Sequence, residues 1–90
     1  MDAIHLHIVT AEATVFDRRV NYVNLPQSYG SLGILRGHAP LLCALEGGVI
    51  RCTGEEGAAR IRVGKGVADV ADNEITVLVS AAEVLEDAAE

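Results

Sequence analysis

Tryptophan is absent from these 90 residues, phenylalanine occurs once (Phe16) and tyrosine twice (Tyr22, Tyr29), although half of the chain is hydrophobic. The core must therefore be aliphatic, filled by Val, Ile, Leu and Ala. Lysine is equally scarce: Lys65 stands alone, the six arginines are scattered, and thirteen carboxylates bring the formal charge to −6. Nucleic acid is bound by neutralising phosphates with Lys and Arg, so it is excluded as a partner. The lack of a basic cluster equally excludes adsorption to anionic lipid. No apolar run approaches the roughly 18 residues that span a bilayer, so no direct membrane insertion is expected. Residues 1–5 lack the positive region and long apolar stretch of a secretory signal, and the chain reads as cytosolic. Two cysteines, Cys43 and Cys52, make no disulfide framework, and each is expected as a small buried hydrophobe.

What is present is a succession of short β-patterns. A chain of this length supports one core, because it buries only about 60–65% of its unfolded surface. Ile4, Leu6 and Ile8 alternate with His5 and His7, the period of two expected of a half-buried strand. Extended runs follow from Val15 and over residues 20–25, where Pro26 removes a ladder donor; residues 26–30 read as a turn. Further strands are predicted over 31–35, 49–52, 59–63, 67–70 and 74–79, punctuated by Gly47-Gly48, Gly54-Glu55-Glu56-Gly57, Gly64-Lys65-Gly66 and Ala71-Asp72-Asn73. Short strands at this spacing, with no helical apolar period before residue 80, predict an all-β fold, an antiparallel sandwich or barrel. Residues 1–83 are read as the domain. Residues 84–90, acidic and Ala-rich, are read as a frayed end or one helical turn.

Most candidate chemistry fails on its own requirements. Gly64-Lys65-Gly66 has Ala59 where a phosphate loop needs its first glycine and Gly66 where it needs Ser or Thr for magnesium. His5 and His7 share one strand face, a spacing that suits two imidazoles on one metal, but spacing identifies no third ligand. Cys43 and His38 form no recognised nucleophile and base pair across Ala39-Pro40. The carboxylates gather in Glu55-Glu56, in residues 69–74 and in the last eight residues, where charge solvates loops and ends. No catalytic constellation and no cofactor site emerges.

Residues 30–42, Gly-Ser-Leu-Gly-Ile-Leu-Arg-Gly-His-Ala-Pro-Leu-Leu, stand out. Gly30, Gly33 and Gly37 permit tight turns or close approach, and Leu32, Ile34, Leu35, Leu41 and Leu42 are dense apolar anchors. Pro40 biases Ala39 towards an extended conformation, holding His38 at the end of a stiff loop. By residue type, an interface and a buried strand followed by a turn are evenly matched.

At this segment the chain resembles the epsilon subunit of F-type ATP synthases, whose amino-terminal domain carries Gly-x-x-Gly-Ile-Leu-Pro-Gly-His-x-Pro-Leu-Leu. Gly30, Gly33, Ile34, Leu35, Gly37, His38, Pro40, Leu41 and Leu42 match it. The opening residues 5–12 are similar to that family's Leu-x-Ile-Val-Thr-Pro-Glu start, Leu45, Gly48 and Val49 to its Leu-x-x-Gly-Val step, and residues 67–79 to its last two strands. The resemblance covers residues 4–83 and implies a flattened sandwich of about ten strands in the central stalk. That sandwich would be held against the gamma subunit and rest on the membrane c-ring, as a non-catalytic rotor part on the cytoplasmic face that couples ion flow to rotation. It implies Tyr29, Ser31 and His38 as the contact to ring and gamma at the loop end, with Arg36 and Leu42 beside them. Arg36 replaces the family's usual proline. The regulatory helical pair of the family, with its Ile/Leu-Asp-x-x-Arg nucleotide motif, has no counterpart in residues 85–90, so no nucleotide is expected on this chain. The alternative reading is a stand-alone sandwich that binds a small ligand or metal through His5, His7 and His38.

Overall fold

In a computed structural model, described over residues 2–87, the chain forms ten strands and no helix. They are β1 (Ile4–Val9), β2 (Thr14–Val20), β3 (Tyr22–Gln27), β4 (Gly30–Leu35), β5 (Leu41–Leu45), β6 (Gly48–Gly54), β7 (Gly57–Val63), β8 (Gly66–Ala71), β9 (Glu74–Val79) and β10 (Ala82–Asp87). One five-stranded sheet has the order β2-β1-β9-β8-β5 and the other β10-β7-β6-β3-β4. Alternating side chains from both close on a single core. Ile4, Leu6 and Ile8 from β1 and Ile75, Val77 and Val79 from β9 meet Val23, Leu25, Ile50, Ile61 and Val63 of the second sheet, with Phe16 as the one aromatic member. The aliphatic core and all-β class follow the sequence reading.

Turn chemistry sets the register. Asp72 and Asn73 both have positive φ, 53° and 61°, as a type I′ hairpin requires, and they join β8 to β9 with Ala71 opposite Glu74. Gly66 lies where a Cβ would run into the Leu78 carbonyl oxygen, so the Gly64-Lys65-Gly66 break is a close-approach turn between β7 and β8.

Four features depart from expectation. β1 pairs with β9 in parallel, His5 opposite Glu74, within an otherwise antiparallel fold. β3 continues through Pro26 to Gln27: it pairs with β4 along its whole length, while its ladder to β6 covers only Tyr22, Val23 and Asn24, short of the missing donor. Residues 41–45, to which the sequence reading assigns no strand and whose first two it places in the 30–42 segment, form the edge strand β5. The supposed acidic tail from residue 84 is instead β10 as far as Asp87, so the expected boundary at 83 falls inside a strand; residues 88–90 lie outside the described residues. Its carboxylates meet arginines across the ladder: Glu83 lies 3.5 Å from Arg62, and Glu86 accepts from Arg60 Nε at 2.9 Å. Opposite charges on facing strands turn an apparently solvated tail into a paired edge.

Candidate partner interface

The segment 30–42 is an edge strand, a turn and the start of a second edge strand. The Leu35 carbonyl accepts from the His38 amide at 3.1 Å, closing a turn over Arg36 and Gly37. Gly37, with φ of 83°, takes the left-handed third position that a type II turn reserves for glycine. Its amide donates to Asn73 Oδ1 at 2.7 Å, which fastens this turn of one sheet to the β8–β9 hairpin of the other. His38 is half-buried, and its Nδ1 donates to the Ala39 carbonyl at 2.7 Å.

The five residues singled out from the sequence do not form one cluster. Tyr29 sits fully exposed in the β3–β4 turn, with exposed Ser31 beside it on β4. Arg36 and His38 lie past the opposite end of that strand, about 17 Å away at 3.3 Å per residue. Leu42 is on β5, 71% exposed, opposite Asp69 on the outer face of the first sheet.

Sequence reasoning missed what surrounds Leu42. Ala44, Val67, Leu78 and Val9 are register partners across β5, β8, β9 and β1, making an apolar row on that outer face next to Leu42. Val67 and Leu78 are both exposed, as is Leu35 at the end of β4. The signal was available: β8 and β9 carry Val67 and Leu78 at outward positions, where a half-solvated strand would place polar residues.

The polar candidates resolve differently. His5 and His7 stack with ring centroids 5.8 Å apart, and His5 is engaged by Asp17 and Glu74. The hydrogen bond to Asp17 raises the His5 pKa above 6.5, against a smaller opposing effect of burial, and the same bond lowers that of Asp17. Among the described residues no group of three or more His, Cys, Asp or Glu is arranged to hold a metal. Cys52 is buried, which pushes its thiol pKa up, and Cys43 is half-buried, receiving Gln27 Nε2 at 3.7 Å; both are free. A cavity of about 250 Å³ where β7 meets β10 is lined by Arg62, Val63, Gly64, Ala81, Ala82 and Glu83, and it gathers none of the three histidines. No helix among the described residues is long and apolar enough to cross a membrane.

Comparison with known proteins places the sequence and the fold. The chain is 44% identical over 81 residues to the ATP synthase epsilon chain of Synechococcus elongatus, an alignment that covers 90% of this chain and 59% of that one. It therefore spans less than two thirds of that relative. Its fold superposes with a TM-score of 0.84 on a chain of the Euglena gracilis mitochondrial ATP synthase, solved as OSCP/F1/c-ring, at 21% identity and covering 97% of this chain and 56% of that one. A chain in the central stalk/c-ring structure of the Tetrahymena thermophila mitochondrial ATP synthase gives a TM-score of 0.74 at 14% identity, covering 90% and 66% respectively. Residues 3–85 match the family described as the ATP synthase delta/epsilon chain, beta-sandwich domain, and the chain belongs to that family.

Proposed function

We propose that this chain is a non-catalytic rotor component of an ATP synthase, the sandwich of an epsilon subunit in the central stalk, on the cytoplasmic face of the membrane. It holds gamma to the c-ring so that ion flow and rotation stay coupled. The observation that carries this reading is the 44% identity to an epsilon chain over 90% of the sequence. The solved relatives of the same fold come from assemblies that contain a c-ring, which supports the ring as the neighbouring part. The surface is consistent with two contacts. Tyr29 and Ser31 at one end of β4 form a polar tip suited to the loops of the ring. Leu42 and the adjacent apolar row form an exposed apolar face suited to gamma, where apolar area leaves water on docking.

Co-purification with gamma and the ring tests this. The native chain is expected to assemble, Leu42→Asp to lose gamma, and the double variant Tyr29→Ala, Ser31→Ala to lose the ring while keeping gamma. Normal assembly of both variants would refute the assignment of these contacts.

A further inference from the structure

His5 occupies an unusual position for a strand residue. Its Nε2 is against Asp17 Oδ1 on β2, and its Nδ1 lies 3.2 and 3.3 Å from the two carboxylate oxygens of Glu74 on β9. A neutral imidazole has one N–H and one lone pair, so only the imidazolium satisfies carboxylates at both nitrogens. The remaining titratable or charged side chains around it are Arg19, its register partner on β2, the stacked His7, whose Nε2 lies 3.9 Å from Asp17 Oδ2, and Asp72, next to Asn73 in the β8–β9 turn.

The backbone carries the same link further. The His5 amide donates to the Asn73 carbonyl at 2.9 Å, and the Asn73 side chain accepts from Gly37 N at 2.7 Å. Asn73 thus touches the start of β1 with its backbone and the Arg36–Gly37 turn with its side chain, and Glu74, the next residue, is gripped by the His5 ring.

We propose that His5, Asp17, Glu74 and Asn73 form a proton-operated latch. With the imidazolium in place, β2, β1 and β9 are clipped together and the β8–β9 turn holds the Arg36–Gly37 turn of the opposite sheet. On deprotonation the remaining proton stays on Nε2, where the Asp17 contact is shorter. The Nδ1 lone pair then faces Glu74, the two repel, and the β8–β9 turn with its hold on Gly37 loosens. The upward shift of the His5 pKa accords with this arrangement. The latch does not depend on which partner the turn meets.

Proton and nitrogen NMR on the intact chain between about pH 5 and 9 tests the latch around the ordinary histidine value. The His5 ring is expected to titrate above the same histidine in a short peptide, and the Gly37 amide resonance to move with the same midpoint. Asp17→Asn should bring the His5 midpoint down towards the peptide value. Asn73→Gly keeps the left-handed backbone but removes the Oδ1 acceptor, so His5 should keep its raised midpoint while Gly37 stops following it. Should that variant fail to fold, hydrogen exchange at Gly37 in the native chain decides. Its protection should fall about two- to fivefold above the His5 midpoint, the worth of a solvent-exposed ion pair. A His5 midpoint at or below the peptide value, or a Gly37 amide indifferent to the His5 titration in both measurements, overturns the latch.

Discussion

Arg18 on β2 and Asp87 on β10 join the outer edges of the two sheets, with Nη2 of the arginine 2.5 Å from Oδ2 of the aspartate. The guanidinium also lies 4.8 Å over the Phe16 ring, so one side chain covers the open side of the core while it spans the sandwich. Nη1 is buried without a hydrogen-bond partner among the described residues, a desolvation that offsets part of the gain. Arg18→Ala is therefore expected to lower the unfolding free energy by about 1–2 kcal/mol, from lost packing and pairing together. Asp87→Asn, which leaves the packing on Phe16 intact, should cost less than 1 kcal/mol, by the same estimate for exposed pairs. Urea denaturation of the three proteins measures both, and equal losses would rule out the packing role given to Arg18.

That pair also shows why the end of the chain was hard to read. Local sequence carried β1 and β9, because alternation of Ile4, Leu6 and Ile8, or of Ile75, Val77 and Val79, is visible within a few residues. β10 offers almost no such alternation: every residue from Ala82 to Asp87 is exposed or half-buried. Its order comes from the antiparallel ladder to β7 and from ion pairs to Arg18, Arg60 and Arg62, arginines 21 to 69 residues away in sequence, and a window along the chain cannot register such partners. The same limit applied to the candidate interface. Residue types singled out the 30–42 segment, but the strand β4 separates Tyr29 from His38, and only the cross-strand register revealed the apolar row beside Leu42.

The His5 and Asp17 pair gives stability a pH dependence of definite sign. The His5 pKa is raised above 6.5 on folding, so its contribution is complete below 6.5 and is lost as pH rises through the folded value. Asp17 is lowered below 3.8, so its contribution is complete above 3.8 and is lost as pH falls through the folded value. The pair therefore stabilises the native chain most between 3.8 and 6.5. The difference in melting temperature between the native chain and His5→Gln should be greatest in that window and shrink on both sides. A difference that stays flat from acid to alkaline pH would contradict it.

Two glycines separate backbone strain from steric overlap. At Gly37 a Cβ would meet nothing within 4 Å, so Gly37→Ala exposes only the cost of a positive φ. That cost is about 1–2 kcal/mol. At Gly66 the added carbon meets the Leu78 carbonyl and the Val79 backbone, which the ladder cannot move aside without breaking. Gly66→Ala should lose at least about 3 kcal/mol, within the range of severe single substitutions. Thermal or urea unfolding is expected to leave the first variant folded and cooperative and the second with a much lower midpoint. The reverse order would place the strain at the wrong glycine.

Leu42 and Leu45 separate interface from core within one strand. Both are leucines of β5, three residues apart and so on opposite faces, 71% and 2% exposed respectively. Leu42→Ser removes no core contact and should change stability by less than about 0.5 kcal/mol. Leu45→Ser removes a buried side chain and brings in a hydroxyl, a loss of about 3 kcal/mol. In assembly the order should invert. Leu42→Ser weakens capture by gamma in a folded, stable domain, whereas Leu45→Ser affects capture only to the extent that it unfolds the chain, and normal capture should return at temperatures where that variant is native. Denaturation curves and pull-down from the same preparations supply both comparisons. If Leu42→Ser bound gamma with native strength, the outer face of β5 would not be the docking surface.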